Sequence, residues 1–305
     1  FGEDDYRWLG RDELSSVLNV DQALAGIHMR HCAAVHPSRL ARGLAQTVEN
    51  LGVTIYEKSP VSEVSGKVVH TPGGQVKAGA VVVATEGYSG SVTGRKRGLI
   101  PVHSMMIASE PLNDRQLESI RFDKRVCFGT IDRLVTYGQV TADRRIAFGC
   151  RGSYHYGSGL RTFHAGDPEF KLVAETLLRF FPTLSGIRFT HKWGGAMGVS
   201  RTVRPSVNFD PGRRFGWAGG YFGNGVGASH LAGRTMADLV SGHETERTLT
   251  PWVNPPDANR KWEPEPLRWL GVKSRAKLMH RADWAEYRDS RLAGVIDNGL
   301  DRLFP

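Results

Sequence analysis

The stretch Gly216–Gly242, GWAGGYFGNGVGASHLAGRTMADLVSG, holds residues whose spacing speaks of chemistry. Within it Gly223-Asn224-Gly225-Val226-Gly227-Ala228 fits G-x-G-x-x-A, with an apolar, aromatic strand pattern before it and a helical pattern after it. That is the form of a dinucleotide-binding turn, in which glycines let the backbone approach a pyrophosphate at a helix N-terminus. The context departs from one. A Rossmann unit continues into a second strand, with an acidic residue about 20 positions on to hold the ribose. Here the helical pattern ends near Gly242, Glu244 and Glu246 follow, and a Pro-rich tail without a strand comes next. A second use stays open. A glycine turn feeding a helix offers free N–H groups and the positive end of a dipole, which suits a ring that gains negative charge, such as the N1–C2=O edge of a reduced flavin. A third is a tight strand-to-helix turn that meets no ligand. An NAD-dependent dehydrogenase would rest on GNGVGA alone. Gly233, inside the helical pattern, is expected to let another element pack closely.

Other reactive residues organise less. His28, His31, Cys32 and His36 cluster in HMRHCAAVH, but their spacing matches no usual zinc set and His36 stands at a helix cap, so no metal site is expected. Cys32, Cys127 and Cys150 are too dispersed for a disulfide framework, which points to a reducing, cytoplasmic setting. No Ser-His-Asp or P-loop pattern occurs. The formal charge of +9 favours an anionic partner, a phosphate-bearing cofactor or an acidic substrate. The basic residues are scattered and not interleaved with aromatics, so nucleic-acid binding is not expected. No apolar run approaches the ~18 residues of a membrane span. The opening FGEDDYRW begins without Met and reads like the middle of a protein.

The elements that must position these residues follow from periodicity. In HPSRLARGLAQTVENLG, Pro37 suits a first helical position, Leu40, Leu44, Val48 and Leu51 recur at helical spacing, and Gly52 ends the run. Val53 and Ile55 alternate as in a strand, a hairpin turns through Pro72-Gly73-Gly74, and Ala80–Thr85 reads as a buried strand. This order suits an α/β domain with a parallel sheet. From Leu99 to about Ser200 longer, aromatic-rich strands predict a mostly antiparallel sheet, with Thr141-Ala142-Asp143 as a hairpin turn. One helix interrupts it, with Asp167 as cap, Pro168 first, Phe170, Val173, Ala174, Leu177, Leu178 and Phe181 on one face, and Pro182 as its stop. The 305 residues accommodate two domains. The tail from Thr250 is expected to wrap the surface in extended form and then, from Lys273, to form one or two basic amphipathic helices packed on the body.

Four segments together resemble the D-amino-acid-oxidase-like family of FAD-dependent oxidoreductases, which includes glycine oxidase, sarcosine oxidase and γ-glutamylputrescine oxidase. VHPSRLARGLAQTVENLGVTIYEKSPVSEV is similar to the family's helix and following strand, and AGAVVVATEGYSG to its V-V-x-A-T-G-A-W-S segment. RRIAFGCRGSYHYGSG resembles the G-R-I-x-F-G-G-R stretch of the putrescine-oxidase-like branch, and GGYFGNGVGASHLAGRTMADLVSG the closing flavin motif. The resemblance runs from about Leu24 to Trp269, and the closing motif is its most specific part.

It implies a Rossmann-like FAD-binding domain in two pieces, 36–98 and 201–249, an antiparallel substrate domain at 99–200, a connecting segment 1–35 and a C-terminal extension 250–305. It further implies FAD as cofactor. Val61 would lie against adenine, Ala84, Thr85, Gly87 and Tyr88 beside ribose and pyrophosphate, and Gly223, Asn224, Gly225 and Val226 over the isoalloxazine. Substrate contacts are expected from Tyr137, Arg151, Tyr154, His155, Trp193 and Arg201, the last either a bidentate clamp on a carboxylate or a solvated loop arginine. The implied reaction is oxidation of the C–N bond of an amine or amino acid to an imine by hydride transfer to the flavin. The family opens with a strand–GxGxxG–helix unit of about 30 residues that grips the pyrophosphate. Residues 1–305 do not include that unit, so an N-terminal segment or a partner chain is expected to complete the site. A binding module that kept the fold and lost the cofactor is the alternative. Glu86 stands at a usual Gly, Tyr88 at a Trp, Asn224 at a frequent His, Cys150 at a Gly and Thr202 at a common Asp.

Overall fold

In the computed structural model, which describes residues 2, 5–92, 97–122, 126–133, 135–258, 260–286, 288 and 292–303, an antiparallel ribbon comes first. Its strands β1 (Tyr6–Gly10) and β2 (Ala25–Met29) flank a short helix, α1 (Arg11–Val17). Helix α2 (Pro37–Asn50) has Pro37 in its first turn, and His36 Nδ1 accepts from Arg39 N at its cap. Its apolar row forms as expected and is uncovered: Leu40, Leu44 and Leu51 are 52%, 58% and 79% exposed. The strand expected next does not form. Val53 and Ile55 lie in irregular, exposed backbone, where no described strand takes their N–H and C=O groups. Strands β3 (Glu63–Ser65), β4 (Val68–Thr71) and β5 (Gly74–Lys77) then make a small antiparallel sheet, with Pro72-Gly73 as the turn. Strand β6 (Val81–Val83) runs into a 3-10 helix at Glu86–Ser91.

The central sheet comprises β7 (Leu99–Ser109), β8 (Cys127–Gly129), β9 (Thr136–Val140), β10 (Ile146–Tyr154) and β11 (Phe189–Ser200), with helix α3 (Asp114–Ile120) after β7 and α4 (Glu169–Phe180) after β10. Its order is β11-β7-β10-β9-β8, antiparallel throughout. Asn113 and Gln116 form a capping box on α3. Strand alternation sends Met105, Ile107, Val140, Ile146 and Phe148 into one core with Phe170, Val173, Leu177 and Phe180 of α4. Each such side chain contributes about 1.5–3 kcal/mol on burial. Asp167 does not cap α4. The turn His164–Asp167 claims its carboxylate, which accepts from His164 N and pairs with Arg161, and Pro168 takes the cap position.

Strands β12 (Ser206–Asp210) and β13 (Phe215–Gly219) return to β6, in the order β12-β13-β6. The expected parallel sheet is present as one parallel pair, β13 with β6, while β12 is antiparallel to β13. Helix α5 (Gly225–Ser241) covers this sheet, packing Ala232 and Met236 on Val207, Phe209 and Ala218. Gly233 is not a contact point. A Cβ there would meet open space, because the buried face of α5 is Ala232, Thr235 and Met236. The tail runs extended over the body, Trp262 Nε1 donating to Val199 O, and ends in α6 (Leu267–Glu286) and α7 (Leu292–Leu303). Arg133 ties both helices down through Asp283, Glu286 and Asp297. Among the described residues no helix is long and apolar enough to cross a membrane.

Candidate flavin-binding site

The parallel pairing of β6 with β13 sets the site. Both strands end at the same side, so the Ala84–Tyr88 turn and the Gly220–Asn224 turn emerge together at their carboxyl ends. That is where open α/β sheets bind ligands. Positive φ angles at Gly220, Phe222 and Gly223 (79°, 44° and 97°) bend the second turn sharply into α5. The side chain of Asn224 makes no cap bond, and helical bonding resumes with Ala228 N to Asn224 O. The first-turn N–H groups of α5 are therefore directed outward without an intrahelical acceptor. Uncapped N–H groups at a helix start fit an anionic ring edge. Gly87 is buried, and a Cβ there would lie 2.9 Å from the carbonyl carbon and oxygen of Ala196 on β11. Thr85 Oγ1 and Ser89 Oγ, 3.1 Å apart, brace the same turn. Val61 is half-buried, whereas Ala84, Thr85 and Tyr88 are exposed.

Glu86 joins these pieces. Its φ is 43°, in the region that favours glycine. Its carboxylate accepts from Gly220 N at 2.8 Å, Gly198 N at 3.1 Å and Tyr221 N at 3.3 Å. Burial pushes its pKa up, against the pull of those N–H groups. Burial and the Glu86 charge push Tyr221 up to about 12.

The central sheet offers its second face, opposite α4. Registers place Trp193, Met106, Gly149 and Tyr137 in one row across β11, β7, β10 and β9, and Gly195, Ser104 and Arg151 in the row beside it. Tyr137 hydroxyl bonds Ser104 Oγ, which also donates to Cys150 O. Gly149 makes room for its neighbours in the row, because a Cβ there would sit 2.1 Å from Met106 Sδ and 3.1 Å from Tyr137 Cε2. Trp193 is 44% exposed on this face. The Arg151 side chain lies outside the described residues.

The other expected substrate residues go elsewhere. Tyr154 is 1% exposed, sealed beneath the tail, with its hydroxyl donating to Glu265 Oε1 at 2.5 Å. The register shift after Arg151 pairs Tyr154 with Val102, on the same sheet face as Ser104 and Met106, at the end that Trp262, Trp269 and Val272 of the tail cover. His155 packs its ring against His103, which is buried on the α4 side. Burial and the cations Arg161 and Lys273 push its pKa down. Arg201 is not a free clamp: its Nε donates to both oxygens of Glu263, at 2.9 and 3.2 Å, and its guanidinium lies over Trp262. Among the described residues no group of three His, Cys, Asp or Glu could hold a metal. Ser104 and Met106 join this face as well, on the alternation of β7 that sends Met105 and Ile107 to the opposite side.

The chain is 32% identical over 216 residues to γ-glutamylputrescine oxidoreductase of Escherichia coli, covering 68% of this chain and 48% of the relative. It is 28% identical over 249 residues to glycine oxidase of Geobacillus kaustophilus, covering 76% and 60%. The crystal structure of glycine oxidase from Geobacillus kaustophilus superposes with TM-score 0.66 at 22% identity, over 81% of this chain and 66% of that one. L-Proline dehydrogenase from P. horikoshii superposes with TM-score 0.66 at 17% identity, over 79% and 66%. The chain spans about half the length of the curated relatives it matches, between 48% and 60%. Residues 1–239 match the model of the DAO family, FAD dependent oxidoreductase, and with a match over most of its length the chain belongs to that family.

Proposed function

We propose that this chain forms the larger part of an FAD-dependent enzyme that oxidises the C–N bond of an amine or amino acid. The carrying observation is the meeting of the two strand-end turns with the uncapped start of α5. Gly223, Asn224, Gly225 and Val226 would hold the flavin edge, Ala84, Thr85, Gly87 and Tyr88 the ribose side, and Val61 the adenine. FAD, when bound, supplies a two-electron acceptor for the carbon beside the amine. The Tyr137–Trp193 row orients the substrate and excludes water. Substrates of this size and type suit relatives named for a glutamylated putrescine and for glycine.

A further unit completes the site in this reading, either upstream in the same chain or on a partner. Among the described residues β6 pairs only with β13, so its other edge is open, and Val82 on β6 is exposed. The α2 row and the ribbon residues Trp8 and Ile27 are exposed as well. A strand–GxGxxG–helix unit would pair with the free edge of β6 and bring the pyrophosphate cradle. On this reading 36–98 and 201–249 form the FAD domain, 99–200 the substrate domain, 1–35 a connection and 250–305 an extension. The test is FAD titration of the chain with that unit supplied, followed by anaerobic mixing with small amines. Flavin bleaching by an amine supports the proposal. An absence of bound flavin with the unit supplied refutes it and favours a binding module.

A further inference from the structure

Three backbone N–H groups from two separate segments converge on the one carboxylate of Glu86. Gly198 lies in β11, and Gly220 and Tyr221 lie in the turn between β13 and α5. The surroundings are shaped for that carboxylate. A Cβ at Gly219 would lie 2.6 Å from Glu86 Oε2, and one at Gly198 would lie 3.1 Å from its Cδ. Gly220 adopts φ 79° and Glu86 itself φ 43°, backbone conformations that cost free energy for a side-chain-bearing residue unless something holds them. The described partners of the carboxylate are N–H groups, so it acts as an acceptor that three donors require.

We propose that Glu86 is a positioning residue, a carboxylate latch that fixes the shape of the glycine turn and docks it on the substrate sheet. Without the latch Gly220 N and Tyr221 N lose their acceptor, and the turn that leads to Gly223–Val226 is free to relax. Glu86 reaches the reacting atoms only through that turn. Its bearing on flavin binding rests on the proposed function, but the latch itself does not.

Two variants test it. Glu86→Gly removes the acceptor and relieves the positive φ. Glu86→Gln keeps the volume and one acceptor oxygen but sets an amide NH2 against the N–H donor or donors at the other position. Amide hydrogen exchange, resolved to single residues, is the main readout. The expected result in Glu86→Gly is exchange at Gly198, Gly220 and Tyr221 faster by at least about tenfold, the factor that corresponds to ~1.4 kcal/mol, with β4 and β5 unchanged, and in Glu86→Gln acceleration only at the amides that face the NH2. Formate added to Glu86→Gly should enter the vacated cradle and restore protection. It should not do so in Glu86→Gln, whose side chain fills the space. Uniform acceleration across the chain would make Glu86 a general stability residue and overturn the proposal, as would unchanged exchange at the three amides. FAD titration of the same variants, with the N-terminal unit supplied, should show affinity weakened at least about tenfold. If the unsubstituted chain binds no FAD, the proposed function fails while the exchange result still decides the latch. If it binds and the variants bind equally, Glu86 does not position the turn for the flavin.

Discussion

Gly87→Ala tests whether the Ala84–Tyr88 turn is held against the substrate sheet. The new Cβ would lie 2.9 Å from both the carbonyl carbon and oxygen of Ala196 and 3.1 Å from its Cβ. None of these atoms is the tip of a flexible side chain, so either the turn lifts from β11 or β11 bends. Overpacking of this kind costs about 1–3 kcal/mol. Gly90→Ala, three residues on in the same 3-10 helix, is the control. A Cβ there meets nothing within 4 Å, and it should be neutral or stabilise by about 0.4–1 kcal/mol through the unfolded chain. Thermal unfolding of both variants reads the difference, at about 2–4 °C per kcal/mol for a chain of this order of size. Gly87→Ala should melt several degrees below Gly90→Ala. Equal melting temperatures would refute the close packing of turn on sheet, and with it the rigidity assigned to this side of the site.

Trp193→Ala removes a ring that is 44% exposed, so the fold should be retained while amine turnover falls; unchanged turnover would remove Trp193 from the substrate face. Gly225→Val has room, since only Tyr221 Cδ2 approaches, at 4.0 Å, so melting should hold nearly constant while FAD affinity weakens; equal affinity would assign the turn to packing alone. A double-mutant cycle on Arg201 and Glu263 should give a coupling of at most about 1 kcal/mol, and Arg201→Ala should leave discrimination between carboxylate-bearing and plain amines unchanged. The Arg133 hydrogen bond holds Asp297 below the ordinary carboxylate range, so its contribution to docking α7 is present above that range and is lost as pH falls through the lowered value. Limited proteolysis should therefore release the tail on acidification from pH 7 to below about 4. In Arg133→Ala the tail should be labile at both pH values.

Legibility in the sequence followed the range of the interactions involved. Helix α2 and the turn at Gly223 were readable because spacing, caps and glycines act within one turn of backbone. The core face of α4 was readable for the same reason, through its helical period. The strand at Val53 failed because propensity alone does not provide a neighbour to pair with. Tyr137 and Tyr154 both stand on aromatic-rich strands and the registers put them on one sheet face, yet only the distant tail residues Trp262, Trp269 and Val272, packed over Tyr154, separate the sealed end of that face from the open one. Arg201 read as a candidate clamp because its partner Glu263 lies 62 residues away in a tail without a periodic signal. Glu86 was visible as a departure from the family's glycine, but its three donors come from residues more than 100 positions on.

The most direct test of the central claim is the FAD stoichiometry and affinity of this chain, measured by visible absorption and fluorescence titration with and without the strand–GxGxxG–helix unit. In the proposed reading residues 1–305 would supply the adenine, ribose and flavin-edge contacts and the added unit the pyrophosphate cradle, where each hydrogen bond to a charged phosphate contributes about 1.5–3 kcal/mol. The expected result is one FAD per chain with the unit supplied, and affinity lower by several orders of magnitude without it, at ~1.4 kcal/mol per tenfold. Tight stoichiometric FAD on the chain alone would contradict the assigned cradle, and no FAD under either condition would contradict the flavin site itself.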